Sequence, residues 1–160
     1  MRTTLITVFS LVLGLWITLA RVSFGLVGPV AVWLGPTLGL AFVWLWIWTA
    51  RRMTQTVARG YRIRPRTRVA LALSAVCAIA FGLTAPEYAD GAFRTLFGEL
   101  GGAGANEMSI ALCNPFGIIA IACAVAAVAF AAADGRDPHP EEDEDLIDES
   151  GMVRHPLADR

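Results

Sequence analysis

The chain has 160 residues, a length that suits one domain. Its hydrophobic fraction is 56% and its charged fraction 17%, against roughly 45–50% and about 25% in soluble globular domains. The apolar excess falls in four blocks and the charges fall between them, which excludes an ordinary soluble domain. The net charge of −1 conceals a strong asymmetry: residues 51–68 carry seven Arg and no acid, whereas residues 134–160 carry ten Asp or Glu against three Arg. All thirteen basic residues are Arg, and Ala and Gly are abundant, a composition that suggests a GC-rich bacterial coding sequence.

The first apolar run covers residues 3–20, between Arg2 and Arg21. Crossing a hydrocarbon core of about 30 Å takes roughly 20 helical residues, so this uncharged run is slightly short but qualifies. The same segment also reads as a cleavable signal peptide. Arg2 is then its basic start, Leu5 to Ile17 its apolar stretch and Thr18-Leu19-Ala20 a weak cleavage site. With either reading the next helix enters from outside.

The second run, residues 30–50, holds Trp33, Trp44, Trp46 and Trp48, the last three just before Arg51 and Arg52. Indole rings favour the headgroup level, so this end predicts a membrane interface. Gly35 and Gly39 make a GxxxG spacing that lets helices approach closely, as do the small pairs Ala78/Gly82 and Ala120/Ala124. Packing within one bundle is the plain reading, and a homo-oligomer or a partner subunit is the alternative.

The third run covers residues 69–85 and starts directly after Arg68. The segment 86–109 then carries Glu87, Asp90, Glu99 and Glu107 against Arg94. Within it Phe93, Leu96, Phe97 and Leu100 recur at helical spacing, which predicts either a short interfacial helix ended by the following glycines or a loop packed on the bundle. The fourth run, residues 110–133, is Ala-rich with Asn114-Pro115 near its start. Asn114 together with Asn106, Glu107 and Ser109 is a candidate outer-face polar site; an Asn-Pro interfacial turn is the competing reading.

Only helices or closed barrels satisfy every backbone group in lipid. Continuous apolar runs without strand-like alternation are helices. The expected architecture is therefore all-α: a four-helix transmembrane bundle over residues 1–133, then a disordered acidic cytoplasmic tail over residues 134–160. Placing both ends inside puts nine Arg near the spans on the cytoplasmic side (Arg2, the seven of residues 51–68 and Arg136) and two, Arg21 and Arg94, outside, as the positive-inside rule requires. The expected location is the bacterial cytoplasmic membrane, multi-pass.

Chemistry is sparsely signalled. The four runs contain no Asp, Glu, Lys, Arg or His, which argues against a self-contained proton-coupled transporter. His139 and His155 both lie in the tail, so haem ligation within the bundle has no ligand. Cys77, Cys113 and Cys123 form no disulfide framework or zinc pattern. The acidic run 141–145 lacks the spaced ligands of a calcium loop. No catalytic, cofactor or metal residues are assigned.

The basic segment offers Arg51, Arg52, Arg59, Arg62, Arg64, Arg66 and Arg68 to anionic lipid headgroups or to the acidic tail on the same side. Tethered between spans, it is not expected to bind nucleic acid. The expected function is a non-enzymatic accessory or interaction protein. An oligomeric small transporter or channel subunit, and a membrane enzyme with an outer-face site, are the alternatives.

Overall fold

The computed structural model describes residues 2–89 and 91–136. Asp90, both histidines and the acidic run 141–145 lie outside the described residues, so the expected disorder of the tail falls there too. The described chain is mainly helical. α1 covers Arg2–Leu19, α2 Pro29–Ala58 and α3 Pro65–Thr84. A hairpin of β1 (Glu87–Ala89) and β2 (Ala92–Arg94) follows, then α4 (Leu96–Gly101) and α5 (Ala103–Asp134).

Three helices, α2, α3 and α5, are long and apolar enough to cross a membrane, and α1 contributes a shorter apolar helix over Thr4–Leu19. Large apolar side chains face outward along all four, among them Leu5, Val12, Leu40, Val76 and Ile118. A soluble monomer rarely exposes so continuous an apolar surface.

The helices run well past the apolar stretches. α2 continues through Arg51 and Arg52 to Ala58, and α3 begins at Pro65. The basic segment is therefore mostly helical, with a connection of residues 59–64. Proline suits the first turn of α3, where its missing N–H costs no bond. α5 likewise starts at Ala103, seven residues before the expected boundary. Asn114-Pro115 lies inside it and not at a turn. An internal proline removes one backbone bond, and transmembrane helices absorb that where neighbouring groups compensate.

The expectation of purely helical structure is corrected at residues 87–94. Glu87 pairs with Arg94, Tyr88 with Phe93 and Ala89 with Ala92 across a two-residue connection. Gly91 sits at φ 81°, the left-handed region such a tight turn demands. Phe93 thus belongs to a strand. The helical stretch is shorter than its apolar spacing implies and covers only α4. Thr95 caps α4 by accepting from the Gly98 N–H at 2.9 Å.

α3 and α5 pack antiparallel along their lengths: Thr67 meets Asp134 at one end, and Phe81 lies against Gly117 towards the other. The face α5 turns inward is a column of small residues, Cys113, Ala120, Ala124, Ala127 and Ala131, all buried. α1 lies antiparallel on α2, with Phe9 against Trp46 at 5.7 Å. Gly14 and Gly39 face each other here: a Cβ on Gly39 would stand 3.3 Å from the Gly14 carbonyl and 2.9 Å from Thr18 Cγ2. Gly39 therefore packs inside the bundle; Gly35 precedes it by one turn in α2.

Candidate functional site

The bundle has two unlike ends. At the arginine end, Arg51, Arg52, Arg59, Arg62, Arg64, Arg66 and Arg68 are all exposed. Asp134, the last residue of α5, is buried among them. Its Oδ2 accepts from the Arg64 backbone N–H at 3.0 Å and from the Thr67 hydroxyl at 2.7 Å. Its Oδ1 pairs with Arg66 Nη2 at 3.0 Å. The carboxylate therefore sits at the N-terminus of α3, where the helix dipole and unpaired N–H groups favour negative charge. Arg66 also lies over the Phe130 ring at 5.3 Å, a cation–π contact. Nearby, the Thr56 hydroxyl lies 3.2 Å from the Ala131 carbonyl, and Arg59 Nη1 donates to the Gly135 carbonyl at 3.4 Å.

Two depressions flank α2 at this end. A polar one of about 230 Å³ is lined by Arg52, Gln55, Thr56, Arg59, Gly135 and Arg136 among others. An apolar groove of about 670 Å³ opens on the other side, bounded by Leu5 and Ile6 of α1, Ala50, Met53 and Val57 of α2, and Arg68 and Leu71 at the start of α3. The seven sequence-predicted Arg are thus brought to one end, but they are divided in role. Arg64 and Arg66 share Asp134 and Arg59 reaches Gly135, whereas Arg68 faces the groove.

The hairpin end is organised around charge that is buried. Glu87 is wholly buried, and its two oxygens accept from the Val30 N–H at 3.0 Å and the Ala31 N–H at 2.7 Å, capping α2. Arg21, also buried, lies 3.8 Å from Glu87, and its guanidinium nitrogens have no hydrogen-bond partner among the described residues. On the surface, Arg94 pairs with Glu99 at 3.6 Å. Asn106 Oδ1 accepts from the Thr95 backbone and hydroxyl at 2.9 and 3.1 Å, and its Nδ2 donates to the Phe93 carbonyl at 2.9 Å. Asn106 thereby locks hairpin, α4 and α5 together. Glu107 and Asn114 are both exposed, two turns apart on α5, and are not brought together. Ser109 turns its hydroxyl onto the Ala105 carbonyl at 2.7 Å.

Between the ends, Trp46 Nε1 donates to the Ser74 hydroxyl at 3.3 Å, and Ser74 donates to the Ala120 carbonyl at 2.8 Å. This buried relay joins α2, α3 and α5. Trp46 is therefore a core residue and not part of an aromatic belt, whereas Trp44 and Trp48 are exposed and in mutual contact at 4.7 Å. Among the described residues, no three His, Cys, Asp or Glu side chains gather as metal ligands would.

Sequence reasoning missed Glu87, Asp134 and Ser74 as structural anchors. Each gains its role from a partner on a distant segment. The Asp-Gly pair at residues 90–91 was the one local signal for the hairpin. Comparison with protein-family models, with curated proteins and with solved structures finds no match.

Proposed function

We propose that this chain is a four-span protein of the bacterial cytoplasmic membrane, with its arginine end and both termini in the cytoplasm. In this reading it acts as a non-enzymatic interaction protein that engages anionic lipid headgroups through that end. The observation that carries the proposal is the contrast between the ends: seven exposed Arg at one, a buried Arg21–Glu87 pair at the other. Exposed cations next to apolar helices favour the cytoplasmic leaflet, where anionic lipid attracts each surface Arg by about 1 kcal/mol.

α1 serves as the fourth span. Its inward face, Leu13, Ile17 and Ala20, is buried, and Trp16 Nε1 donates to the Ile79 carbonyl of α3 at 3.2 Å. Those contacts favour a retained helix over a cleaved leader. The acidic tail shares the cytoplasmic side in this reading, and its acidic run competes with lipid for the Arg in a salt-sensitive way.

The test uses trypsin, which cuts after Arg. In liposomes with the arginine end outward, cleavage within residues 59–64 should be slower with anionic lipid than with zwitterionic lipid at low salt, and the two rates should converge at high salt. Equal rates at low salt would overturn the lipid reading.

A further inference from the structure

We infer that the apolar groove between α1, α2 and α3 seats a single anionic phospholipid, with an acyl chain along Leu5, Met53, Val57 and Leu71 and the phosphate on Arg68. This rests on the proposed lipid-facing role of the arginine end and gives it a defined site.

The groove has the dimensions and composition for such an occupant. Its volume of about 670 Å³ falls within the roughly 300–1,000 Å³ of ligand pockets. Apolar side chains and helix surface make most of its wall; among the described residues Arg68 is its single charge and no acid lines it. An anion is therefore attracted and nowhere repelled.

Its depth is also right for a headgroup. Ala50 and Leu71 belong to the apolar parts of α2 and α3, while Ala58 and Ile63 lie beyond them. The groove thus straddles the boundary where hydrocarbon gives way to headgroup, and Arg68 stands at that boundary.

The neighbouring Arg differ in availability. Arg64 and Arg66 are held by Asp134. Arg68 is exposed and has no carboxylate or carbonyl acceptor among the described residues. A phosphate supplies the missing acceptor in a charge-assisted bond. The acidic tail suits this groove less well. The chain leaves α5 at Gly135 and Arg136, which line the polar depression on the opposite face of α2. An apolar groove with one rim cation fits a lipid better than a run of five acids.

Native mass spectrometry of protein reconstituted in mixed phosphatidylglycerol and phosphatidylcholine, then released into mild detergent, tests the assignment. The wild-type chain should retain one phosphatidylglycerol in preference to phosphatidylcholine. Arg68→Gln should lower that retention about fivefold, the factor one surface Arg contributes toward anionic lipid. Val57→Trp, which fills the groove, should lower it further. Ser23→Ala, exposed at the opposite end of the bundle, should leave it unchanged.

Equal retention of the two lipids, or wild-type retention by Arg68→Gln, overturns the proposal. So does displacement by Val57→Trp of a second copy of this chain in place of lipid. Arg68 is exposed, so its variant keeps the test decisive if the bulkier Trp disturbs folding. Trypsin protection by anionic liposomes that persists alongside lost lipid selectivity would sink the seated site while leaving the wider reading intact.

Discussion

At the scale of single residues, two carboxylates do most to fix the ends of the bundle. Glu87 neutralises Arg21 and caps α2; Asp134 caps α3 and pairs with Arg66. Glu87→Gln leaves one acceptor oxygen where the Val30 and Ala31 N–H groups use two, and removes the charge facing Arg21. Breaking a buried pair from one side typically costs about 3–5 kcal/mol, so a fall of that order in unfolding free energy in detergent is expected. Adding Arg21→Met should recover part of it, and an unchanged midpoint for Glu87→Gln alone would refute the pairing. Asp134→Ala leaves the buried Thr67 hydroxyl and the Arg64 N–H without their acceptor, at an expected cost of about 2 kcal/mol by the same measurement. Neither role was legible in the sequence, where Glu87 reads as a loop acid and Asp134 as the first acid of a tail. Their partners lie 57 residues away for Val30 and 67 for Thr67, and only the packing of the helices brings them together.

At the scale of elements, the helices themselves were legible because long apolar runs have few other solutions in lipid. Their ends were not, because polar helical turns beyond a span carry no apolar signature. The hairpin was missed because Phe93, Leu96, Phe97 and Leu100 match a helical period as well as they fit a strand followed by a short helix. The small-residue pairs were readable, but the full column on α5 is longer than any pair. Buried Cys113, Ala120, Ala124, Ala127, Ala131 and Asp134, with Gly117 among them, recur at alternating steps of four and three. That is the spacing of a helix seam packed closely on a neighbour. Ala124 is wholly buried, and Ala124→Leu should overpack it against α3 at a cost of about 1–3 kcal/mol. The corresponding substitution at exposed Ile118 should be nearly silent, and equal midpoints for both would contradict the seam. Ser74→Ala breaks the relay from Trp46 to Ala120 and should cost about 1 kcal/mol, the scale of an interhelical hydrogen bond in a membrane. A shift in Trp46 fluorescence reports the same loss directly.

At the scale of the whole molecule, the two ends differ in kind: one is held by buried charge, the other presents exposed charge. The asymmetry of Arg was legible from composition alone, since orientation follows loop charge and not packing. The division of labour among those Arg was not, because it depends on which of them meet Asp134 and which meets the apolar groove. If the acidic tail competes with lipid, removing residues 137–160 should deepen the protection from trypsin by anionic liposomes at low salt. No change on removal would separate tail from loop.

The most direct measurement of the central claim is sidedness by single-cysteine labelling. With Cys77, Cys113 and Cys123 replaced by Ala, one cysteine is introduced at Ser23, Arg62 or Ala92, all exposed positions. A membrane-impermeant maleimide applied to right-side-out vesicles should label Ser23→Cys and Ala92→Cys. It should reach Arg62→Cys, and a cysteine placed before Met1, only after permeabilisation. Labelling of Arg62→Cys in intact vesicles, with protection of Ala92→Cys, would contradict the orientation, and labelling ahead of Met1 would contradict four spans.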